Sequence, residues 1–271
     1  MIHPIKPEKF YLKYWEAEHL LIKRQNSMYY DGLFSSDDVW SLIKTKRLKF
    51  GRNIDVTSYK KGKRWTFNKE GEVSYDYARE KFDNEDCSIR MLHPQEYCDS
   101  IWKLLAILEE HWGIQAGCNT YLTPKGSQGF APHYDDIEAF ILQVEGAKRW
   151  RLYHPQSLEE VLPRASSPNF DQGELGPPVL DTVLEPGDLL YFPRGFIHQA
   201  EAVAGSHSLH LTVSTGQRGA HWADFLRAAL PRALERAAAA DPAFRAALPR
   251  GHRHYMGRLG ARQAARAEEE E

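Results

Sequence analysis

The sequence predicts a mainly β protein whose strands form a sandwich or barrel, with helical segments before and after them. Between about residues 116 and 216, short segments rich in β-branched and aromatic residues alternate with Gly or Pro turns. These segments are CNTYLTP, EAFILQVEG, RWRLYHP, DLLYFPRG and SLHLTVST. Hydrophobic residues make up 42% of the chain, so a core of ordinary size can be buried. The pattern favours an all-β core over βαβ units.

Residues 1–115 are predicted to support this core with helices and short strands. KPEKFYLKYWE and SSDDVWSLIKTKRL have helical apolar spacing, and the second helix is predicted to start at Ser36. Residues 51–100 are predicted to hold short strands and turns, including a hairpin in IDVTSYKKGKRWTFN with its turn at KKGK. Residues 96–113 give the clearest helical pattern, which ends at Gly113.

Two later segments depart from the strand pattern. Residues 156–178 are polar and rich in proline, and they predict a long loop between strands of a kind that is often functional. Residues 217–271 are predicted to form a shortened helical region with an acidic tail, which Pro231 and Pro242 break into pieces. The sequence thus divides into 1–115, the core at 116–216, and 217–271.

Charge and cysteine content exclude several classes of protein. The net charge of −2 argues against a polyanion-binding surface over the whole chain, and the basic run Lys60, Lys61, Lys63 and Arg64 is interpreted as a solvated loop. The three cysteines lack a CxxC motif, which argues against a disulfide framework and a cysteine zinc site and favours a reducing compartment. Neither a signal peptide nor a membrane-spanning segment is expected.

The residues that predict chemistry begin with the motif Ala131-Pro132-His133-Tyr134-Asp135-Asp136. Because alternate residues of a strand share a face, His133 and Asp135 are predicted to point together if this motif opens a strand. His198, which follows the turn PRG, is the candidate for a third ligand. Two histidines and one carboxylate can hold three positions on one face of Fe(II) and leave the others open. Fe(II) rather than Zn(II) is inferred from the pattern.

A co-substrate with a carboxylate would need a cation near this metal site. In Lys148-Arg149-Trp150-Arg151-Leu152-Tyr153, the side chains of Lys148, Trp150 and Leu152 are predicted to share one face. A lysine on an apolar face needs an anionic partner, which a carboxylate ligand supplies. The alternative is an edge lysine whose ammonium group reaches the solvent.

Further polar residues are predicted to face the same interior. Asn119 and Tyr121 share a strand face and can bind a co-substrate or substrate, or form an internal hydrogen-bond network. Ser214 is of the same kind. His207 and His210 are interpreted as structural residues.

These segments resemble a known family. The run GCNTYLTPKGSQGFAPHYDDIEAFILQVEGAKRWRLYHP, then VLEPGDLLYFPRGFIHQA and HSLHLTVST, resembles the JmjC-type ribosomal oxygenases. Within them it resembles most the nucleolar branch of bifunctional histidyl-hydroxylases and lysine-specific demethylases, over residues 50–257. The resemblance implies a double-stranded β-helix, a jelly-roll of the cupin-like JmjC type.

The resemblance also implies roles for individual residues. His133, Asp135 and His198 would be the catalytic iron ligands, and Lys148 would bind 2-oxoglutarate. Other implied pocket residues are Asn119, Tyr121 and Ser214, with the latter two near the target side chain, and Arg90 and Asn169 near a bound peptide. The resemblance implies dioxygen as the further co-substrate.

On this basis the chain is expected to hydroxylate a histidine of a large-subunit ribosomal protein. A histone tail, demethylated at a methyl-lysine, is the competing substrate, and it is less favoured because the sequence shows no aromatic cage. A catalytically silent cupin-like binding module is the alternative from another class. The resemblance further implies a nuclear, nucleolar location and a homodimer formed through the C-terminal helices. Proteins of this type also carry a long N-terminal extension and a winged-helix domain, and neither is expected in this sequence.

Overall fold

The computed structural model describes residues 1–216 and 219–252. The chain divides into two compact units, residues 1–218 and residues 219–271. The three-part division of the sequence given above stays a prediction.

The first unit is built on two antiparallel sheets. Its strands are β1 (Leu20–Ile22), β2 (Ile54–Lys60), β3 (Lys63–Thr66), β4 (Ser88–Leu92), β5 (Ala116–Thr123), β6 (Glu138–Glu145), β7 (Lys148–Tyr153), β8 (Leu180–Leu184), β9 (Leu189–Phe192), β10 (Ile197–Ala202) and β11 (Ser208–Thr215). The larger sheet has the order β1-β9-β6-β11-β5-β4-β2-β3, and the smaller has β10-β7-β8. The predicted mainly β architecture is confirmed, and so is the β2–β3 hairpin with its turn at Lys61 and Gly62.

Helices precede the core strands, as predicted. They are α1 (Pro7–Lys13), α2 (Ser36–Thr45), α3 (Tyr75–Asn84) and α4 (Asp99–Trp112). At the start of α2, Ser35 and Asp38 form a reciprocal capping box, which fixes the predicted helix start at Ser36. The α3 helix was not predicted within residues 51–100. Its apolar face consists of Tyr75, Ala78 and Phe82 only, and seven of its ten residues are polar or half-exposed, so its helical signal is weak.

The two faces of the larger sheet pack against different parts of the unit: one against helix α1, and the other around the interior that holds the site. On one face, Phe10 of α1 contacts Tyr191 and Phe140, with ring centroids 4.9 Å and 5.8 Å away. Burying an aromatic side chain of this size contributes about 1.5–3 kcal/mol. Between the two sheets lies a second apolar cluster, which includes Ile141, Trp150, Leu152, Leu190 and Phe192. This cluster lines the interior in which the predicted site residues meet.

The second unit contains one long helix among its described residues. This helix, α5 (Trp222–Ala240), runs through Pro231, so the prediction that Pro231 would break it is wrong. A proline in a helix removes one backbone hydrogen bond, and a helix tolerates that loss when its other turns are intact. Pro242 does follow the helix end and begins a short 3₁₀ turn, Pro242–Arg245. In the part of the chain that the structure describes, no helix is long and apolar enough to cross a membrane.

Candidate metal and substrate-binding site

The two segments that carry the predicted metal ligands are joined by their backbones. His133 and His198 form an isolated antiparallel bridge, with N–O distances of 3.2 Å and 2.8 Å. The motif around His133 does not open a strand as predicted, because β6 begins only at Glu138. The backbone groups of Tyr134 bond instead to Ser167, which belongs to the loop between β7 and β8.

His133, Asp135 and His198 form a group able to hold a metal ion. One ligand atom from each lies within 4.8 Å of the others. The Nε2 atoms of His133 and His198 both lie 3.8 Å from a carboxylate oxygen of Asp135. Each imidazole can donate from Nδ1 to a backbone carbonyl, that of Ala131 at 2.8 Å and that of Phe196 at 3.1 Å. This arrangement leaves the Nε2 lone pairs for a metal, so the donor set fits the predicted ion.

The surroundings of His198 keep its imidazole neutral. Its ring packs against Phe192, at 4.8 Å between centroids, and stacks on Trp150 at 6.2 Å. Burial first, and then the neighbouring His133, lower the pKa of His198 to about 4. A neutral imidazole is the form that ligates a metal.

Lys148 lines the same interior as the metal group. Its side chain is 4% exposed, which excludes the alternative of a solvent-reaching edge lysine. Its Nζ donates to Thr123 Oγ1 at 2.9 Å, and no carboxylate pairs with it among the described residues. Burial lowers the pKa of Lys148 to about 7. A buried ammonium with one neutral partner fits the carboxylate of a co-substrate.

One cavity of about 400 Å³ brings these groups together. The predicted site residues all line it, namely Arg90, Asn119, Tyr121, His133, Asp135, Lys148, Asn169, His198 and Ser214. Their individual roles stay predictions.

Tyr121 and His210 line the cavity side by side. Their rings stack with centroids 4.8 Å apart, and burial raises the pKa of the Tyr121 hydroxyl. His210 was interpreted as structural, yet it lines the cavity, and its buried Nδ1 has no hydrogen-bond partner among the described residues. Burial, followed by the nearby Lys148 and His198, holds the pKa of His210 well below 6.5, so its imidazole is neutral. His207 lies elsewhere and bonds to Glu145 at 2.7 Å.

Two guanidinium groups lie against the ring of Phe130 at the cavity wall. Arg90 donates to Asp55 through Nε at 3.0 Å and also through Nη2. The guanidinium carbon of Arg64 lies 4.4 Å from the centroid of the Phe130 ring, and that of Arg90 lies 5.3 Å away. Burial, reinforced by the charge of Arg90, lowers the pKa of Arg64. The interpretation of the basic run as a solvated loop is therefore wrong for Arg64.

The 166–170 segment covers the motif that carries His133 and Asp135. Ser167 N donates to Tyr134 O at 3.0 Å, Tyr134 N donates to Ser167 Oγ at 2.9 Å, and Phe170 N donates to Pro132 O at 2.9 Å. Ser166 Oγ lies 2.9 Å from Asp136 Oδ1 and 3.3 Å from the metal-ligand candidate Asp135. The long loop predicted to be functional thus fixes the outer face of the metal-binding motif.

The cavity residues that were not predicted to belong to the site include the polar side chains Arg64, Ser166, Ser167 and Gln199. Gln199 follows His198 directly, and its side chain bonds to Tyr153 at 2.7 Å and to Gln172 at 2.8 Å. The sequence offered one usable signal, the polar composition of residues 156–178. It offered none for the inward position of Arg64, which depends on how the hairpin packs.

Known proteins are similar to this chain in sequence and in fold. Residues 90–223 match the family described as JmjC domain. Human Ribosomal oxygenase 1 is 51% identical over 257 residues, which cover 95% of this chain and 40% of the human protein. The Aedes aegypti protein named Bifunctional lysine-specific demethylase and histidyl-hydroxylase NO66 is 49% identical over 256 residues, which cover 94% of this chain and 40% of that protein. The chain therefore spans less than half the length of these relatives.

A solved structure extends the likeness to the fold. The ribosomal oxygenase YcfD from Escherichia coli, in complex with cobalt and 2-oxoglutarate, superposes with a TM-score of 0.60 at 19% identity. The superposition covers 98% of this chain and 66% of that one.

Proposed function

We propose, from the match of residues 90–223 to the JmjC domain family, that the chain is an Fe(II)- and 2-oxoglutarate-dependent dioxygenase that hydroxylates a histidine of a large-subunit ribosomal protein. One observation carries the proposal. A three-donor metal group and a buried lysine that lacks a carboxylate partner among the described residues line the same cavity. The relatives named as ribosomal oxygenases and histidyl-hydroxylases support the substrate class.

Different residues of the chain would have different roles in such a reaction. Iron(II), with 2-oxoglutarate and dioxygen, supplies the oxidant that inserts one oxygen atom into a C–H bond, with succinate and carbon dioxide as the other products. His133, Asp135 and His198 would hold the iron on one face and leave the other positions open. Lys148 would bind the far carboxylate of 2-oxoglutarate.

Other side chains would orient the peptide and exclude water. The rings of Trp150 and Phe192 form an apolar wall beside His198, which limits the access of water to the reacting groups. Tyr121 and Ser214 line the cavity and can donate hydrogen bonds to the target side chain. Arg90 and Asn169 line it as well and are the candidates for peptide contacts.

The charge beside Phe130 favours a neutral target over a cationic one. Arg64 and Arg90 both lie against this ring, whereas Asp55 is the one carboxylate bonded to either of them among the described residues. A methyl-lysine cation would need aromatic faces free of other cations. This observation supports histidine hydroxylation over the alternative, histone lysine demethylation.

The test is turnover with a mass readout. The full chain is incubated with Fe(II), 2-oxoglutarate and peptides of large-subunit ribosomal proteins, and in parallel with methylated histone peptides. We expect release of succinate and a gain of one oxygen atom on a histidine-containing peptide. Stepwise loss of methyl groups without that gain would instead support the demethylase. Absence of turnover in both arms, with Asp135→Ala behaving identically, would support a catalytically silent binding module.

We also propose that the protein forms a homodimer through its C-terminal helix and resides in the nucleus, in the nucleolus. The dimer is supported by the exposed apolar side chains of α5, which include Trp222, Phe225, Leu230 and Leu234. Light scattering would test the dimer, and a monomer at micromolar concentration would contradict it. Imaging of the tagged chain in its own cells would test the location, which a signal outside the nucleus would contradict.

A further inference from the structure

The β2–β3 hairpin contributes one basic side chain, Arg64, to the lining of the cavity. β3 lies at the edge of the larger sheet, and Arg64 pairs across the hairpin with Tyr59. Its neighbours Lys63 and Trp65 are exposed and contact each other, with Lys63 Nζ 4.3 Å from the indole ring. Because alternate residues of a strand face opposite sides, Arg64 alone of these three lines the cavity.

The guanidinium group of Arg64 lacks a carboxylate partner in the described part of the chain. Among the described residues it forms no hydrogen bond or ion pair: it lies against the Phe130 ring, and its buried Nε has no hydrogen-bond partner. The charges of Asp55 and Asp135 act on it only from beyond ion-pair distance. The nearby carboxylate of Asp55 is already engaged by Arg90 and by Asn68 Nδ2, the latter at 2.6 Å. Asp55 therefore has little capacity left for a second guanidinium group.

A half-buried guanidinium group with free donors loses solvation without regaining hydrogen bonds. That loss disappears when a ligand supplies an oxygen acceptor, and a planar guanidinium group binds carbonyl and carboxylate oxygens through several donors. We propose that Arg64 binds an oxygen acceptor of the peptide substrate, either a main-chain carbonyl or a carboxylate, and so helps select the peptide. This inference rests on the proposed function, because it assumes that a peptide occupies the cavity.

The position of Arg64 limits where the acceptor lies in the peptide. Phe130 contacts both Arg64, at 4.4 Å, and the metal-ligand candidate His133, at 6.3 Å between centroids. Arg64 and the metal group thus contact one common aromatic ring. An extended peptide advances about 3.3–3.6 Å per residue, so the acceptor falls within about three residues of the target side chain.

Peptide binding without turnover tests this inference directly. An array of fluorescent nonapeptides with a central histidine is bound to the full chain loaded with Co(II) and 2-oxoglutarate, and the tightest binder is used for anisotropy titrations. We expect Arg64→Ala to weaken its binding by roughly 10–100-fold, the range for a hydrogen bond to a charged group. Arg64→Lys should fall in between, because an ammonium lacks the planar fork. Lys63→Ala is the matched control and should stay within about twofold of wild type.

Variants of the peptide then distinguish a carboxylate acceptor from a main-chain carbonyl acceptor. If replacing every acidic residue of the peptide by alanine removes the difference between wild type and Arg64→Ala, the acceptor is a carboxylate. If the difference survives, the acceptor is a main-chain carbonyl.

Three outcomes would overturn the inference. They are equal peptide affinity of Arg64→Ala and wild type, a parallel loss of Co(II) affinity in Arg64→Ala, and an array without a binder for the wild-type chain. The proposed function fails separately. A peptide that is bound through Arg64 but never gains oxygen with Fe(II) would contradict the hydroxylase alone, whereas a peptide that gains oxygen equally well in Arg64→Ala would contradict only the role of Arg64.

Discussion

The cavity has a metal end, lined by His133, Asp135 and His198, and a lysine end, lined by Lys148. The two ends satisfy their polar groups in opposite ways. At the metal end, the two imidazoles are oriented by the carbonyls of Ala131 and Phe196, and Asp135 lies within hydrogen-bond reach of Ser166. At the other end, the ammonium of Lys148 is 4% exposed and has Thr123 Oγ1 as its hydrogen-bond acceptor. One end is complete in its ligand geometry before any ligand binds, whereas the other lacks a negative charge.

This difference separates two sources of affinity. Pre-orientation of the donors lowers the entropic cost of binding a metal, so loss of any one donor should strongly reduce the metal affinity. An uncompensated buried charge instead destabilises the ligand-free protein and is compensated when an anion binds. Variants at the two ends should therefore differ in their effect on stability as well as on binding.

The largest effect is expected at the metal end. Asp135→Ala removes the one carboxylate of the donor group, so we expect metal affinity to fall by more than the roughly 10–100-fold that follows loss of a supporting residue. Co(II) titration followed by tryptophan fluorescence measures this, because Trp150 stacks on His198. Succinate release should fall with it.

The control for this variant is Asp181→Ala, which removes a surface carboxylate paired with Arg149 at 2.7 Å. It should leave Co(II) affinity unchanged. A wild-type Co(II) affinity in Asp135→Ala would contradict the assignment of His133, Asp135 and His198 as the metal site.

At the lysine end, Lys148→Met should act on the co-substrate and spare the metal. Removing one partner of a buried charge pair costs about 2–5 kcal/mol, so 2-oxoglutarate affinity should fall by at least about 30-fold. The free energy of unfolding of the ligand-free protein should rise, because an unpaired buried charge is gone. Calorimetric titration and urea unfolding measure the two quantities, and Lys103→Met on the exposed face of α4 is the control. Loss of stability together with intact 2-oxoglutarate binding would contradict this assignment.

The pKa of Lys148 predicts how the lysine end responds to pH. Burial lowers this pKa to about 7, against 10.5 in the unfolded chain, so between these values the unfolded state binds more protons than the folded state. The free energy of unfolding contributed by Lys148 therefore rises with pH across that window, and the destabilisation is fully present below pH 7. His210 beside it stays neutral there, since its own pKa lies well below 6.5.

The affinity for 2-oxoglutarate should move the other way, because the anion needs the charged lysine. We expect it to fall as the pH rises above about 7 in wild type. Lys148→Arg should remove that pH dependence, because a guanidinium stays charged. Titrations at a series of pH values check this, and an identical decline in Lys148→Arg would assign the pH dependence to another group.

The lysine end was more predictable from the sequence than the metal end. In β7 the side-chain period of two is a local property, so Lys148 and Trp150 were placed on one interior face from the sequence, and both line the cavity. The backbone of Tyr134 instead finds its partner at Ser167, in a loop whose pairing has no periodic signal. The inward position of Arg64 was hidden for another reason, because the face of β3 that points inward depends on how the hairpin packs. Contacts made by irregular segments across the fold depend on packing, which residue patterns do not encode.

The smallest effect is expected where that unpredicted loop meets the metal end. Ser166→Ala removes a hydroxyl that lies 3.3 Å from Asp135 and 2.9 Å from Asp136, and a single hydrogen bond contributes about 0.5–1.5 kcal/mol, so Co(II) affinity should fall by roughly 2–10-fold. Ser157→Ala in the same loop is the control, because the Ser157 side chain forms no capping hydrogen bond with the 3₁₀ turn that follows it. Ser166→Thr keeps the hydroxyl and should restore the affinity. If Ser166→Ala binds Co(II) as wild type does, Asp135 owes its orientation to the backbone alone, and the metal end needs no support from the loop.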